Sequence, residues 1–220
     1  AWDVLGQLCL AETFSTPAPL EVDDEFRRLA LSDDTTYTSL YLYGLSASQY
    51  NIMLLDYSYL QFGWSGDDNV RYAYYPNPYI VRSSDIMEFQ RLRKLLESGV
   101  ITAEEYFHLL DGKPSGSRVP LLRYENAPAQ FMPLRHPCSH FHIGHHAENR
   151  WPANRILTPL AFTLLVCKNY YSEEWFALGD DEMIDYRNTF DKLMIEERQK
   201  CRAMGEQFFT PDEARSFHFA

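Results

Sequence analysis

The chain has 220 residues, and its 45% hydrophobic and 23% charged side chains are the balance of a globular protein, not of a disordered one. A formal charge of -11 repels polyphosphate, which excludes broad, sequence-independent nucleic-acid binding but leaves room for a small basic site or a basic partner protein. The four cysteines, Cys9, Cys138, Cys167 and Cys201, form no CxxC pair; this argues against a disulfide scaffold or zinc ribbon and for the reduced thiols of a cytoplasm.

Taken in chain order, the opening AWDVLGQLCLAE has no basic segment ahead of an apolar one, so no signal peptide is expected. Residues 1–34 predict two short helices separated by the break STPAP. The second, around DDEFRRLALS, begins with acids and puts Phe26 and Leu29 on one side. The Tyr- and Leu-rich block 37–59 reads as helix, then strand. Runs 57–64 and 70–75 flank the turn-forming cluster SGDDN and predict a hairpin, which leaves through PNP where proline ends the ladder. Ile86, Phe89, Leu92, Leu95 and Leu96 lie at helical spacing over 85–98, and Gly99 stops that helix. Thr102 and Glu105 form a capping box for the next helix, which ends near Asp111.

After the loop GKPSGS come two predicted strands, RVPLLRYEN and SHFHIG, joined by the looser APAQFMPLRHP. Thr158 followed by Pro159 marks a helix start. The remainder reads as helical: LAFTLLVCKNYY, then a long amphipathic helix over 181–204. The longest apolar run, 156–167, is too short to cross a bilayer, so a cytoplasmic protein without membrane contact is expected. The order of elements is α+β: a central antiparallel sheet covered by helices, with a helical C-terminal segment. We read 1–220 as a single domain, with a helical N-terminal segment (1–34), a sheet-containing core (50–145) and C-terminal helices (156–205).

Five of the seven histidines, His136, His140, His142, His145 and His146, fall within one short stretch, RHPCSHFHIGHH. Histidine exchanges protons and binds metals near neutral pH. Strand residues two apart share a face, so His140 and His142 point one way from SHFHIG. In RVPLLRYEN, Arg123 and Glu125 share a face opposite Pro120, Leu122 and Tyr124. If the two strands are neighbours, one face carries Arg123, Glu125, His140 and His142. That set suits metal-free acid–base chemistry on a phosphodiester: a His or the Glu takes a hydroxyl proton, another His protonates the leaving oxygen, and Arg stabilises phosphate charge. The same alternation also describes the solvent face of any half-exposed strand.

Three further residues are assigned to substrate binding: His136 in the cluster, and Arg150 and Arg155, which bracket WPAN ahead of the Thr158 cap, where an anion can be held. A metal reading competes, since H-x-H can present two imidazoles to one ion, with His136, His145, His146 or Glu148 as third ligand. No HExxH-type motif completes it, and no cofactor is assigned. Cys138 reads as a small half-buried thiol rather than a nucleophile. RYAYYPNPY reads as hairpin core, with a base-stacking surface as the alternative.

The stretches RYAYYPNPY (71–79), HPCSHFHIG (136–144), Arg155 and TPLAF (158–162) resemble a bacterial family catalogued as a domain of unknown function, with an HPxSHxHIG…TPLxF signature. The resemblance implies no activity. The run Arg123-Tyr124-Glu125-Asn126-Ala127-Pro128, followed by His136, His140 and His142, is more loosely similar to TumE-like toxins of toxin–antitoxin pairs. There the stretch reads Arg-Tyr-Asp-Asn-Ala-Pro; here Glu replaces Asp, and this chain is far longer. The leading expectation is a cytoplasmic bacterial toxin or phage-defence effector, a metal-independent ribonuclease or phosphodiesterase. The alternatives are a non-catalytic interaction module, whose partner is an antitoxin or defence-complex subunit, and a metal-dependent hydrolase.

Overall fold

The computed structural model describes the chain except residues 15–17, 67, 81–82, 112–118, 147, 180–187, 217 and 220. Seven strands form one antiparallel meander in sequence order: β1 (Ala11–Phe14), β2 (Ile52–Leu54), β3 (Tyr59–Ser65), β4 (Asn69–Tyr75), β5 (Leu122–Asn126), β6 (Ser139–Ile143) and β7 (Trp151–Pro152). A second, two-stranded piece pairs β8 (Arg155–Ile156) with β9 (Arg202–Ala203). The α+β architecture is the one the sequence pattern implies.

Helices cover both faces. Against one pack α1 (Trp2–Gln7), α6 (Pro159–Tyr170), α7 (Ser172–Gly179) and α8 (Thr189–Lys200), whose Leu5, Phe162, Leu164, Trp175 and Phe190 meet Leu60, Tyr72, Tyr74, Tyr124 and Phe141 of the strands. Against the other pack α2 (Asp24–Leu31), α3 (Tyr37–Ser46), α4 (Ser83–Glu97) and α5 (Ala103–Asp111), whose Phe26, Tyr41, Phe89 and Tyr106 surround Tyr59, Ala73 and Tyr75. A short α9 (Pro211–Arg215) follows, opened by a Thr210/Glu213 capping box.

The hairpin is β3–β4, in unbroken register from Tyr59 opposite Tyr75 to Ser65 opposite Asn69. α4 ends just before Gly99, which sits at φ 70, a conformation open to glycine without a Cβ clash. The caps at Thr102 and Thr158 form as their residue types dictate: Glu105 N–H donates to Thr102 and Ala161 N–H to Thr158. Three expectations need correcting. The N-terminal region is not purely helical, because Ala11–Phe14 adds strand β1 beside β2. The last long helix stops at Lys200 rather than Met204, because Arg202–Ala203 leaves to pair with Arg155–Ile156. A separate helix, Ser172–Gly179, precedes it. The start expected at 181, the first three residues of the break STPAP (15–19) and the loop at 112–117 lie outside the described residues.

The face of β5 and β6 that meets α6 sets their register. Leu122, Tyr124 and Phe141 are buried there, and Tyr124 is locked by its hydroxyl. Leu157 N–H donates to that oxygen at 3.0 Å, and the Ser139 hydroxyl lies 2.9 Å from it while donating to the Arg155 carbonyl at 2.7 Å. Because side chains alternate, burying this set turns Arg123, Glu125, His140 and His142 to the opposite face. Replacing Tyr124 with Phe keeps the ring and strands the Leu157 amide. Tyr124→Phe is expected to lower stability by about 1–3 kcal/mol, read from the urea midpoint at unchanged slope.

Candidate functional site

β5 lies between β4 and β6, and the pairing brings polar residues into two cross-strand rows. Arg71, Glu125 and His140 are successive partners across the three strands; Ala73, Arg123 and His142 form the next row. Directly opposed residues on one face have Cβ atoms about 5 Å apart, so each row is a line of contacts. Arg71 Nε stands 3.6 Å from a Glu125 carboxylate oxygen. The two imidazoles meet at Nε2, 3.0 Å apart, where one ring donates and the other accepts. His140 is fully buried, His142 is 7% exposed, and Arg123 and Glu125 are half-buried. On the same face, toward β3, α2, α3, α4 and α5 cover the apolar half of the sheet.

Burial and the neighbouring His142 push the His140 imidazole down to about 4, against the pull of Glu125, so it is neutral at pH 7. Burial works against ionisation of Glu125, but Arg71 and Arg123, together with His142 and His140, outweigh it and hold the carboxyl below its usual range. Arg123 is lowered by burial and by the Arg71 charge, yet it remains a cation. Two guanidiniums therefore face one carboxylate, so the site carries net positive charge in a protein of net charge -11.

His136 joins the group, with its ring centroid 5.0 Å from that of His140 and its backbone pinned by paired bonds with Met132. Arg150 is exposed and donates to the Glu148 carbonyl, within electrostatic reach of Arg123. The structure does not bring Arg155 to this cluster. Its guanidinium donates to the Cys201 carbonyl at 2.8 Å and lines a cavity on the opposite face of the sheet. The strand β8 that carries it turns toward β9, so a reading from sequence distance to the Thr158 cap could not place it.

His145 and His146 also leave the cluster. Gly144, at φ 106, ends β6 and redirects the chain, and both imidazoles then reach the Thr35 carbonyl at 2.7 Å. Among the described residues, the group with ligand atoms close enough to share an ion is Glu125, His140 and His142, all within 4.8 Å. The third ligand of the metal reading is thus Glu125, not His136, His145, His146 or Glu148. Cys138 is fully buried, and burial pushes its thiol up to about 11, which disfavours the thiolate at neutral pH.

Sequence reasoning missed two residues on this face, Arg71 and Tyr75, which follow from the alternation Arg71-Tyr72-Ala73-Tyr74-Tyr75 once β4 is known to pair with β5. A cavity of about 850 Å³ lies on the other side of the sheet among Leu122, Phe141, Ile143, Leu165, Met194 and Ile195; it holds none of these ionisable partners.

An antiparallel meander with helices on both faces, carrying an Arg/Glu/His cluster on one of them, defines an α+β protein. The chain belongs to the DUF2290 family of uncharacterized conserved proteins, whose family model matches residues 16–220. No curated protein and no solved structure matches it. Among the described residues, no helix is long and apolar enough to cross a membrane.

The His140 environment sets a pH dependence. Unfolded, the imidazole takes a proton near 6.5; folded, it resists until about 4, so the folded chain binds fewer protons between these values. Its stabilising contribution is complete above about pH 6.5 and falls as the pH drops toward 4. The loss is on the order of 3 kcal/mol. Urea unfolding in EDTA at pH 7.5 and 4.5 should show that slope in the wild type and a flatter one in His140→Gln.

Proposed function

We propose that this protein cleaves RNA phosphodiesters by metal-free acid–base catalysis at the Arg123, Glu125, His140 and His142 face. The observation that carries the reading is the cross-strand register: Glu125 opposite His140 and Arg123 opposite His142, with the two imidazoles in contact. In this scheme neutral His140 takes the proton of the attacking hydroxyl and His142, which must enter the reaction protonated, gives one to the leaving oxygen, so the pair ends with its protonation states exchanged. Arg123, with Arg71 beside it, stabilises charge on the phosphoryl oxygens. Glu125 stays ionised and orients the guanidiniums.

An attacking ribose 2′-hydroxyl needs no metal-activated water, and its products are a 2′,3′-cyclic phosphate and a free 5′-hydroxyl. The similarity of Arg123–Pro128 and the following histidines to TumE-like toxins supports RNA as the polymer. It also supports a toxin or phage-defence role in a bacterial cytoplasm, held in check by a neutralising protein partner.

The test is RNA cleavage in EDTA. Wild type is expected to cut RNA and leave the matching DNA intact; His140→Ala/His142→Ala and Arg123→Ala should each lose at least about a hundredfold in rate. Undiminished cleavage by the double variant would end the proposal.

A second reading has its own observation. Glu125, His140 and His142 form a two-histidine, one-carboxylate set of the kind that holds a divalent transition metal. The residues fit an ion in number and type, while Arg71 and Arg123 oppose a second cation beside the single carboxylate. Metal analysis of untagged protein separates the readings: one zinc, iron or manganese per chain, lost in His142→Ala, together with EDTA-sensitive activity, favours the metal-dependent hydrolase.

A further inference from the structure

Three buried donors on the β4–β5 face have no acceptor among the described residues: Arg71 Nε, Arg123 Nε and the Tyr75 hydroxyl. They are not scattered. Arg71, Ala73 and Tyr75 project from the same side of β4, and Arg123 stands directly opposite Ala73. The Ala73 side chain between them is small and fully buried. Arg71 and Tyr75 bound it along β4, Arg123 bounds it on β5, and Gln61 stands opposite Ala73 on β3. Gln61 is already engaged, donating to the Gln49 carbonyl at 2.6 Å.

Tyr75 is itself fully buried. Its ring stacks on Tyr59 with centroids 4.8 Å apart and meets Phe26 edge-on at 5.7 Å, so packing fixes it and the hydroxyl cannot swing out to water. Tyr75, Arg71, Arg123 and Glu125 are near enough to act on one another electrostatically. A buried donor left without an acceptor is destabilising, and folded proteins rarely tolerate several together. Three of them, two belonging to cations that repel each other, call for one anion with several acceptor oxygens. Glu125 does not fill that role, since its nearest approach to Arg71 Nε is 3.6 Å.

We propose that Arg71, Arg123 and Tyr75 form an oxyanion pocket above Ala73 that takes one tetrahedral phosphoryl group of the substrate. A phosphoryl group offers the Tyr75 hydroxyl an acceptor and each guanidinium a charge-assisted partner. This deepens the phosphodiester reading and rests on it for the identity of the substrate; the pocket's affinity for phosphate does not depend on catalysis. It also assigns a role to two residues of RYAYYPNPY: Arg71 and Tyr75 line the site, while Tyr72 and Tyr74 fill the core behind it.

The experiment is titration of the full chain with inorganic phosphate in EDTA at low salt, by calorimetry or 31P NMR. Wild type is expected to bind with one site per chain. Tyr75→Phe, which keeps the stacked ring, and Arg71→Gln, at a partly exposed position, should each weaken binding about tenfold or more. Arg91→Gln, on the exposed side of α4, should not change it. Near-UV circular dichroism identifies any variant that fails to fold, in which case the other decides. No saturable binding by wild type, equal binding by both folded variants, or equal loss in Arg91→Gln would overturn the pocket. Phosphate binding without RNA cleavage would keep the pocket and remove the nuclease reading; cleavage with undiminished phosphate affinity in Tyr75→Phe would do the reverse.

Discussion

The register between β5 and its two neighbours is the constraint on which the site depends. A strand's side-chain period is two, so a slip of one residue exchanges its faces completely. Here Leu122, Tyr124 and Phe141 are claimed by the core beneath α6, and the Tyr124 hydroxyl ties both strands to the segment leading into that helix. With that face filled, Arg123, Glu125, His140 and His142 have one direction left. The catalytic proposal is therefore a consequence of apolar packing on the far side of the sheet.

The two faces of β4 divide labour in the same way. Tyr72 and Tyr74 enter one core; Ala73 and Tyr75 enter the other, where the helices α2 to α5 end and the polar half begins. Arg71 and Tyr75 thus sit where apolar packing gives way to the ionisable cluster. There the low local polarity strengthens the interactions between the charged groups. Glu125 is the pivot. It balances one of two guanidiniums and borders the paired imidazoles, which keeps the site cationic but not strongly repulsive to its own fold.

Much of this was legible in the sequence. The hairpin, the Gly99 stop and the Thr102 and Thr158 caps follow from local chemistry, and the alternation in RVPLLRYEN and SHFHIG gave the correct faces of both strands. Features that depend on distant partners were not legible. Ala11–Phe14 becomes a strand because β2 offers an edge. Arg202–Ala203 leaves the helix because Arg155–Ile156 offers another, and the same pairing carries Arg155 away from the cluster. The run of histidines looked like one cluster, yet one glycine at φ 106 divides it, sending His145 and His146 to the Thr35 carbonyl. Arg71 and Tyr75 were visible as letters, but only the pairing of β4 with β5 shows that they belong with Arg123.

The most direct measurement is 15N NMR of the histidine side chains in metal-free protein across pH 8 to 4. A pair in Nε2–Nε2 contact, buried on the face shared with Glu125, should give one protonated and one bare Nε2 in slow exchange with solvent. His140 should remain neutral until the pH approaches about 4. Two independent imidazoles that both titrate near the ordinary value of about 6.5 would mean that the strands do not bring these side chains together as described, and the site would dissolve into an ordinary wet surface.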